Sequence, residues 1–354
     1  MKIILPDNTH IKPLGRAAFM NEKLWLCYSA TGAAFRFEGK ELTILLQGDD
    51  RAETAGMSND LARVKAYVDG ICAADRMVDA KEVQLHLIND QEKNVHCVEI
   101  VKVSESAMST VMVKAICTDD DAFVYPQEEK AHLIEFAGDS ITCGYGVDDE
   151  VAEHNFKTST EDATKGYACL TAKALDADYS LVSLSGYGII SGYSGDGIRR
   201  PDQLLPNYYE KTGFSYGSMN GAYPQDTAWQ FEGRKPDAVV INLGTNDQSF
   251  TRGIEELCEE YCTAYQQFIR TVRSRNADAH IFCMLGVMGE ALCPMVQKAV
   301  ETYQQETGDS KISFHWFTEQ KHEDGIAADW HPSQLTHRKT AEKLSAIIKN
   351  TMKW

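Results

Sequence analysis

The sequence predicts an α/β protein in two parts. Residues 1–127 read as an N-terminal β-sandwich of jelly-roll type, and residues 128–354 as a three-layer α/β/α domain with a parallel sheet. Three observations predict it. Short strand-like runs separated by turns fill the first part. In the second, apolar strand runs alternate with helical patterns. Between them lies the polar stretch Tyr125-Pro126-Gln127-Glu128-Glu129-Lys130, of linker type.

In the first part, Phe35-Arg36-Phe37 and Leu42 to Leu46 flank a turn expected at Glu38-Gly39-Lys40. Val64, Ala66 and Val68 alternate with Arg63, Lys65 and Tyr67, and Asp69-Gly70 then supplies a hairpin signal. Val83 to Leu87 alternates again, and Val111 to Ile116 is a further apolar run. Strands this short and closely spaced suit a sandwich, where each buries one face against a second layer.

In the second part, Leu133 to Ala137, Ala238 to Leu243, His280 to Leu285 and Ile312 to Phe317 read as buried strands. Leu181 to Ile190 carries a strand that ends at Ser185-Gly186. Over 253–275, Ile254, Leu257, Tyr261, Ala264, Phe268 and Val272 recur at spacings of three and four, so they share one helix face. The segment 334–350 reads as a closing helix, with Leu344 and Ile347 or Ile348 inward. Such alternation builds a parallel sheet covered on both sides, with its site at the strand C-terminal ends.

Hydrophobic residues make up 43% and charged residues 25%, enough for a real core. The net charge of −17 repels polyanions. Nucleic acid and anionic membrane surfaces are therefore poor partners, whereas a neutral sugar is not penalised. The apolar start runs only from Ile3 to Leu5, short of the roughly 7–15 residues of a signal-peptide core. No run approaches the roughly 18 apolar residues of a membrane span. The ten cysteines are scattered singly and read as reduced thiols, so a cytoplasmic location is expected. There is no CxxC pair and no HExxH spacing, so neither a metal nor another cofactor is expected.

Four segments carry candidate chemistry. Ser140 stands in Gly138-Asp139-Ser140, just past the apolar run ending at Ala137; a serine exposed at a strand end is a candidate nucleophile. Gly186 lets a backbone N–H approach a ligand closely. The strand Val239 to Leu243 delivers Gly244-Thr245-Asn246-Asp247, and an asparagine amide there can donate to a developing oxyanion. His331, in Asp329-Trp330-His331-Pro332, is held stiffly before the last helix and is a candidate base. Each segment also has a bland reading as a turn. Asp139 and Asp247 are expected to brace their turns rather than react.

In order and in strand-end context these segments resemble the SGNH (GDSL-type) hydrolases, over about residues 131–354. The resemblance implies Ser140 as nucleophile, His331 as base, and an oxyanion hole from Ser140, Gly186 and Asn246. The front half adds Gly32-Ala33-Ala34-Phe35-Arg36-Phe37 and Tyr67-Val68-Asp69-Gly70. With Asp329-Trp330-His331-Pro332, these phrases resemble carbohydrate esterase family two. That resemblance implies removal of O-acetyl groups from plant polysaccharides such as xylan and mannan, with an acetylated oligosaccharide as the binding partner. One departure stands out. The broader SGNH pattern places the acid three residues before the histidine, where this chain has Ala328, while Asp329 lies two before it. Asp329 is held as a candidate orienter of a triad; the resemblance to carbohydrate esterase family two, whose members sometimes leave the histidine to a backbone carbonyl, implies a Ser–His dyad as the alternative.

Tyr187, Tyr193, Trp229 and Trp330 lie in or beside the motif loops and are candidate sugar platforms, with core packing as the alternative for each. Two rival functions remain: an SGNH lipase or thioesterase with a longer acyl groove, and a carbohydrate-binding protein with a vestigial hydrolase.

Overall fold

The computed structural model of the chain describes residues 2–53 and 60–354. It divides into two compact units: Met1–Lys130 with Lys157–Ala163 and Lys211–Trp229, and Ala131–Phe156 with Thr164–Glu210 and Gln230–Trp354.

The first unit is an antiparallel sheet. Its strands are β1 (Lys2–Ile4), β2 (Lys12–Leu14), β3 (Ala18–Met20), β4 (Lys23–Leu26), β5 (Gly32–Gly48), β6 (Arg63–Val68), β7 (Ile71–Met77), β8 (Glu82–Lys102), β9 (Val111–Thr118) and β10 (Phe123–Pro126). The spine runs β3-β4-β9-β5-β8-β6-β7, with β1 on β9 and both β2 and β10 on β5. The expected hairpin forms at Asp69-Gly70, joining β6 to β7.

The turn expected at Glu38-Gly39-Lys40 does not form. β5 runs straight through it, with register shifts between Gly39 and Glu41 and between Leu42 and Thr43. The Asp119 carboxylate explains this. It accepts from the N–H groups of Lys40 at 2.8 Å and Glu41 at 3.0 Å, satisfying donors that the broken ladder strands. The long strands β5 and β8 thus curl one sheet over itself. Phe35, Phe37, Ile44, Leu46, Val64 and Ile100 meet in its core.

Two later segments join this unit, so a single cut between residues 127 and 128 does not describe it. Polar residues explain why. Asp162 pairs with Lys65 at 2.6 Å, and Glu161 accepts from the Glu105 N–H at 2.7 Å, all of them buried. Buried charges need such partners, and removing one partner costs about 3–5 kcal/mol. In the other segment Ser218 donates to Asp50 at 2.7 Å, and Met219 packs with Trp25, Cys27 and Met112.

The second unit holds β11 (His132–Gly138), β12 (Ala177–Ser183), β13 (Ala238–Asn242), β14 (His280–Leu285) and β15 (Ile312–Trp316). All pairs are parallel, in the order β12-β11-β13-β14-β15. β13 is buried throughout, as a strand covered on both faces must be. The covering helices named here are α1 (Tyr167–Ala174), α2 (Glu255–Arg275), α3 (Cys293–Thr307) and α4 (Gln334–Met352). α1 packs on α4, and α2 on α3. The α2 face buries Tyr261, Phe268 and Val272 as its spacing predicts, while Ile254 stays outside the helix and exposed. In α4 it is Ile348, with Leu344, that turns inward.

The strand order reverses beside β11, which neighbours both β12 and β13. In an open parallel sheet the loops diverge at such a point and leave a crevice at the strand C-termini. The three loops that follow these strands carry Ser140, Gly186 and Asn246. Among the described residues no helix is long and apolar enough to cross a membrane.

Candidate functional site

Ser140 is delivered by β11. A Cβ on Gly138 would stand 2.0 Å from Thr142 Oγ1, so the chain can fold back this tightly only without a side chain there. Asp139 caps the helical turn Ser140–Cys143, its carboxylate accepting from the Ile141 N–H at 3.0 Å. The nucleophile candidate is therefore fixed at the first position of a capped turn.

His331 comes from the loop before α4. Its Nε2 lies 2.9 Å from Ser140 Oγ, and its Nδ1 lies 2.9 Å from the main-chain carbonyl of Asp329. A carbonyl only accepts, so Nδ1 carries the proton and donates it. The Nε2 lone pair is then left to accept from the Ser140 hydroxyl. Burial pushes the imidazole down to about 4, while the Asp329 carbonyl and the Asp329 charge pull it upward.

The Asp329 carboxylate is engaged elsewhere. It accepts from the Tyr145 O–H at 2.8 Å and from the Phe156 N–H at 3.2 Å. Asp329 as the side-chain acid of a triad is thereby corrected: this residue orients the histidine through its main chain. The backbone gives the reason. Asp329 and Trp330 have φ of 52° and 63°, two left-handed residues in succession that bend the 329 carbonyl back to the ring two residues on. Such a conformation costs on the order of 1–3 kcal/mol per residue and persists only where its surroundings enforce it. Here the Asp149 and His154 carbonyls accept from the N–H groups of Ala328 and Asp329, each at 3.0 Å. Gln320 Nε2 donates to the Trp330 carbonyl at 2.8 Å.

Tyr145 is a residue the sequence reading passes over. Its ring stacks on His331 at 4.0 Å between centroids and on Phe156 at 4.2 Å. The only signal for it is its place in Gly144-Tyr145-Gly146, directly after the turn that holds Ser140.

Gly186 follows β12 with φ of 80°, a left-handed conformation that favours glycine, and its carbonyl accepts from the Tyr193 N–H at 2.8 Å. Asn246 follows β13. Its Nδ2 donates to the Tyr187 carbonyl at 2.8 Å and lies 3.5 Å from Asp139 Oδ2. Asp247 braces the Gly186 loop, accepting from the N–H groups of Ile189, Ile190 and Ser191 at 2.9, 2.7 and 3.2 Å. Burial pushes Asp139 up to about 7, and the nearby charge of Asp247 adds to it. Burial likewise pushes Asp247 up to about 6, held back by those three N–H groups.

The aromatic candidates separate. Tyr187 is 3% exposed, with its ring edge-on to Tyr208. It cannot present a face to sugar, so that expectation is corrected; its carbonyl holds Asn246 instead. Tyr193 and Trp330 are 62% and 52% exposed, the first tied to Gly186 and the second adjoining His331. Trp229 belongs to the first unit, where the Arg16 guanidinium lies 5.6 Å from its ring centroid. Among the described residues no cluster of three or more His, Cys, Asp or Glu stands where it could hold a metal ion.

Residues 136–339 match the GDSL-like Lipase/Acylhydrolase family, and residues 14–127 match the Carbohydrate esterase 2 N-terminal family. A cellulase/esterase, CelE of Acetivibrio thermocellus, is 30% identical over 98% of this chain; the alignment covers 40% of that longer protein. An acetylxylan esterase / glucomannan deacetylase of Cellvibrio japonicus is 27% identical over 99% of this chain and 91% of its own length. A family two carbohydrate esterase from Clostridium thermocellum, solved in complex with cellohexaose, superposes with a TM-score of 0.83. It is 28% identical over 97% of this chain and 99% of that one.

Proposed function

Since the chain belongs to the GDSL-like lipase/acylhydrolase family and carries a carbohydrate esterase 2 N-terminal domain, we propose that it is a serine carboxylesterase that removes O-acetyl groups from plant-cell-wall oligo- or polysaccharides of xylan or mannan type. The observation that carries this reading is the pair of 2.9 Å contacts on His331, one to Ser140 Oγ and one to the Asp329 carbonyl. The printed name of the Cellvibrio japonicus relative, an acetylxylan esterase / glucomannan deacetylase, supports the acetyl-sugar half of it, and that of CelE, a cellulase/esterase, supports the esterase half.

In this mechanism the Ser140 hydroxyl gives its proton to His331 Nε2 as its oxygen attacks the acetyl carbonyl carbon. The negative charge that develops on the carbonyl oxygen is met by the N–H groups of Ser140 and Gly186 and by the Asn246 amide. These donors are fixed beforehand by the cap at Asp139, the brace at Asp247 and the Tyr187 carbonyl, so they need no rearrangement at the moment of reaction. The His331 imidazolium returns its proton to the departing sugar oxygen, leaving an acetyl-serine. Water, deprotonated by His331, attacks that ester, and acetate leaves as Ser140 regains its proton. The Asp329 carbonyl keeps the imidazole in the one tautomer this cycle uses. Tyr193 and Trp330 supply exposed faces for sugar rings.

Two results are expected. Hydrolysis of p-nitrophenyl esters is fastest on acetate, falls at butyrate and is negligible at octanoate; a rate that rises with chain length would favour a lipase or thioesterase. The second concerns pH. The base must be neutral, and kcat/KM reports the free enzyme. With His331 lowered from 6.5 to about 4, activity persists as pH falls below 6.5 and is lost only near 4. A pH profile of kcat/KM on p-nitrophenyl acetate checks this, and a midpoint at or above 6.5 would contradict it.

A further inference from the structure

We infer that Tyr145 is a positioning residue for the base. Its ring forms the surface on which the His331 imidazole lies, and its hydroxyl keeps the Asp329 carboxylate turned away so that the main-chain carbonyl alone orients Nδ1. The inference rests on the proposed roles of Ser140 and His331 and goes beyond them. It stands on one sandwich of groups. Tyr145 lies face to face with His331, 26° from parallel, and with Phe156, 21° from parallel. The Tyr145 hydroxyl and the Phe156 N–H grip the same carboxylate oxygen, Asp329 Oδ2. The carboxylate anchors the two left-handed residues that aim the carbonyl, so the hydroxyl acts on the imidazole through Asp329.

The arrangement has a chemical consequence. A carboxylate within reach of the imidazole stabilises its protonated form, and a donor on that carboxylate tempers the effect. The titratable groups on the elements around His331 include Asp329, His322 and Asp324 on its own loop, Tyr145, Asp148 and the Asp149–His154 pair on the segment after Ser140–Cys143, and His337 and Lys339 on α4. Of these, Asp329 is the one whose charge raises the His331 value. Removing the Tyr145 hydroxyl frees that charge to act on the ring, while removing the charge itself makes the hydroxyl irrelevant to the ring's protonation.

The test is a double-mutant cycle with Tyr145→Phe and Asp329→Asn, read by kcat, KM and the pH profile on p-nitrophenyl acetate, with melting temperatures recorded alongside. Tyr145→Phe keeps the stacked ring, so fold and KM stay close to those of the parent protein. Its kcat falls about tenfold, in line with the loss of a hydrogen bond to a charged group. The acid limb of its kcat/KM profile moves to higher pH. Asp329→Asn moves that limb to lower pH, and in its presence Tyr145→Phe no longer moves it. Tyr145→Leu, which also removes the ring face, loses more kcat than Tyr145→Phe. A Tyr145→Phe enzyme with parental kcat and parental acid limb overturns the inference, as does a limb shift of equal size in both backgrounds. Ser140→Ala separates the two levels. If it stays active, the reading of the site itself has failed. If it is inactive while Tyr145→Phe is indistinguishable from the parent, only the role of Tyr145 has failed.

Discussion

Ser140→Ala is expected to lower kcat on p-nitrophenyl acetate by about 10⁴–10⁶-fold, and the double variant with His331→Ala to be little worse than either change alone. The hydroxyl and the imidazole form one device, joined at 2.9 Å, so removing either part removes the whole. What remains is the rate that the oxyanion donors and substrate binding supply without a nucleophile. KM is expected to change little, because the deleted oxygen makes its bond in the transition state. Additive losses in the double variant would mean that the two residues do not act together. Ser140 also opens a helical turn whose cap is the Asp139 carboxylate. Alanine preserves that turn, so a melting temperature close to the parent's is part of the expected result.

Asn246→Ala is expected to lower kcat by about 10²–10³-fold, roughly 2.7–4 kcal/mol of transition-state stabilisation. The amide is aimed in advance by its 2.8 Å bond to the Tyr187 carbonyl, and its Nδ2 also makes a long 3.5 Å contact with Asp139 Oδ2. An N–H that gives up this long contact can meet an oxyanion. Steady-state kinetics with a KM-against-kcat split check this. A change confined to KM would place Asn246 in ground-state binding instead.

The parts of the fold that were legible in the sequence are those where burial on both faces leaves a simple mark. The run Ala238 to Leu243 can be read as a strand because four apolar residues in succession, Ala238 to Ile241, open it, and β14 ends where its apolar run ends. Glu38-Gly39-Lys40 reads as a turn because a local signal cannot reveal Asp119, some eighty positions away, whose Oδ1 accepts from both N–H groups and keeps β5 continuous. The allegiance of segments 157–163 and 211–229 is illegible for a similar reason: it is set by partners such as Lys65 and Asp50, distant in sequence.

Ser140, Gly186, Asn246 and His331 stand out in the sequence as candidates because each sits at a strand end or before a helix, where residue type and position reinforce each other, and the structure brings Ser140 and His331 to 2.9 Å. The manner in which Asp329 acts does not stand out. A sequence shows side chains, and here the orienting atom is a main-chain oxygen aimed by two left-handed residues. Tyr187 looked like a sugar platform from its place beside Gly186, yet its ring turns into the interior while its carbonyl faces the site. Tyr145 left no signal beyond two flanking glycines, since stacking on His331 depends on chain folding over nearly two hundred residues.

The central claim is that Ser140 and His331 hydrolyse acetyl esters of sugars, and release of free acetate from acetylated manno- and xylo-oligosaccharides, measured with and without Ser140→Ala, tests it most directly. The account predicts acetate release by the parent protein on at least one of the two substrates, and none above background by the variant. Binding of these oligosaccharides without acetate release, unchanged by the substitution, would contradict it and leave a carbohydrate-binding protein in its place.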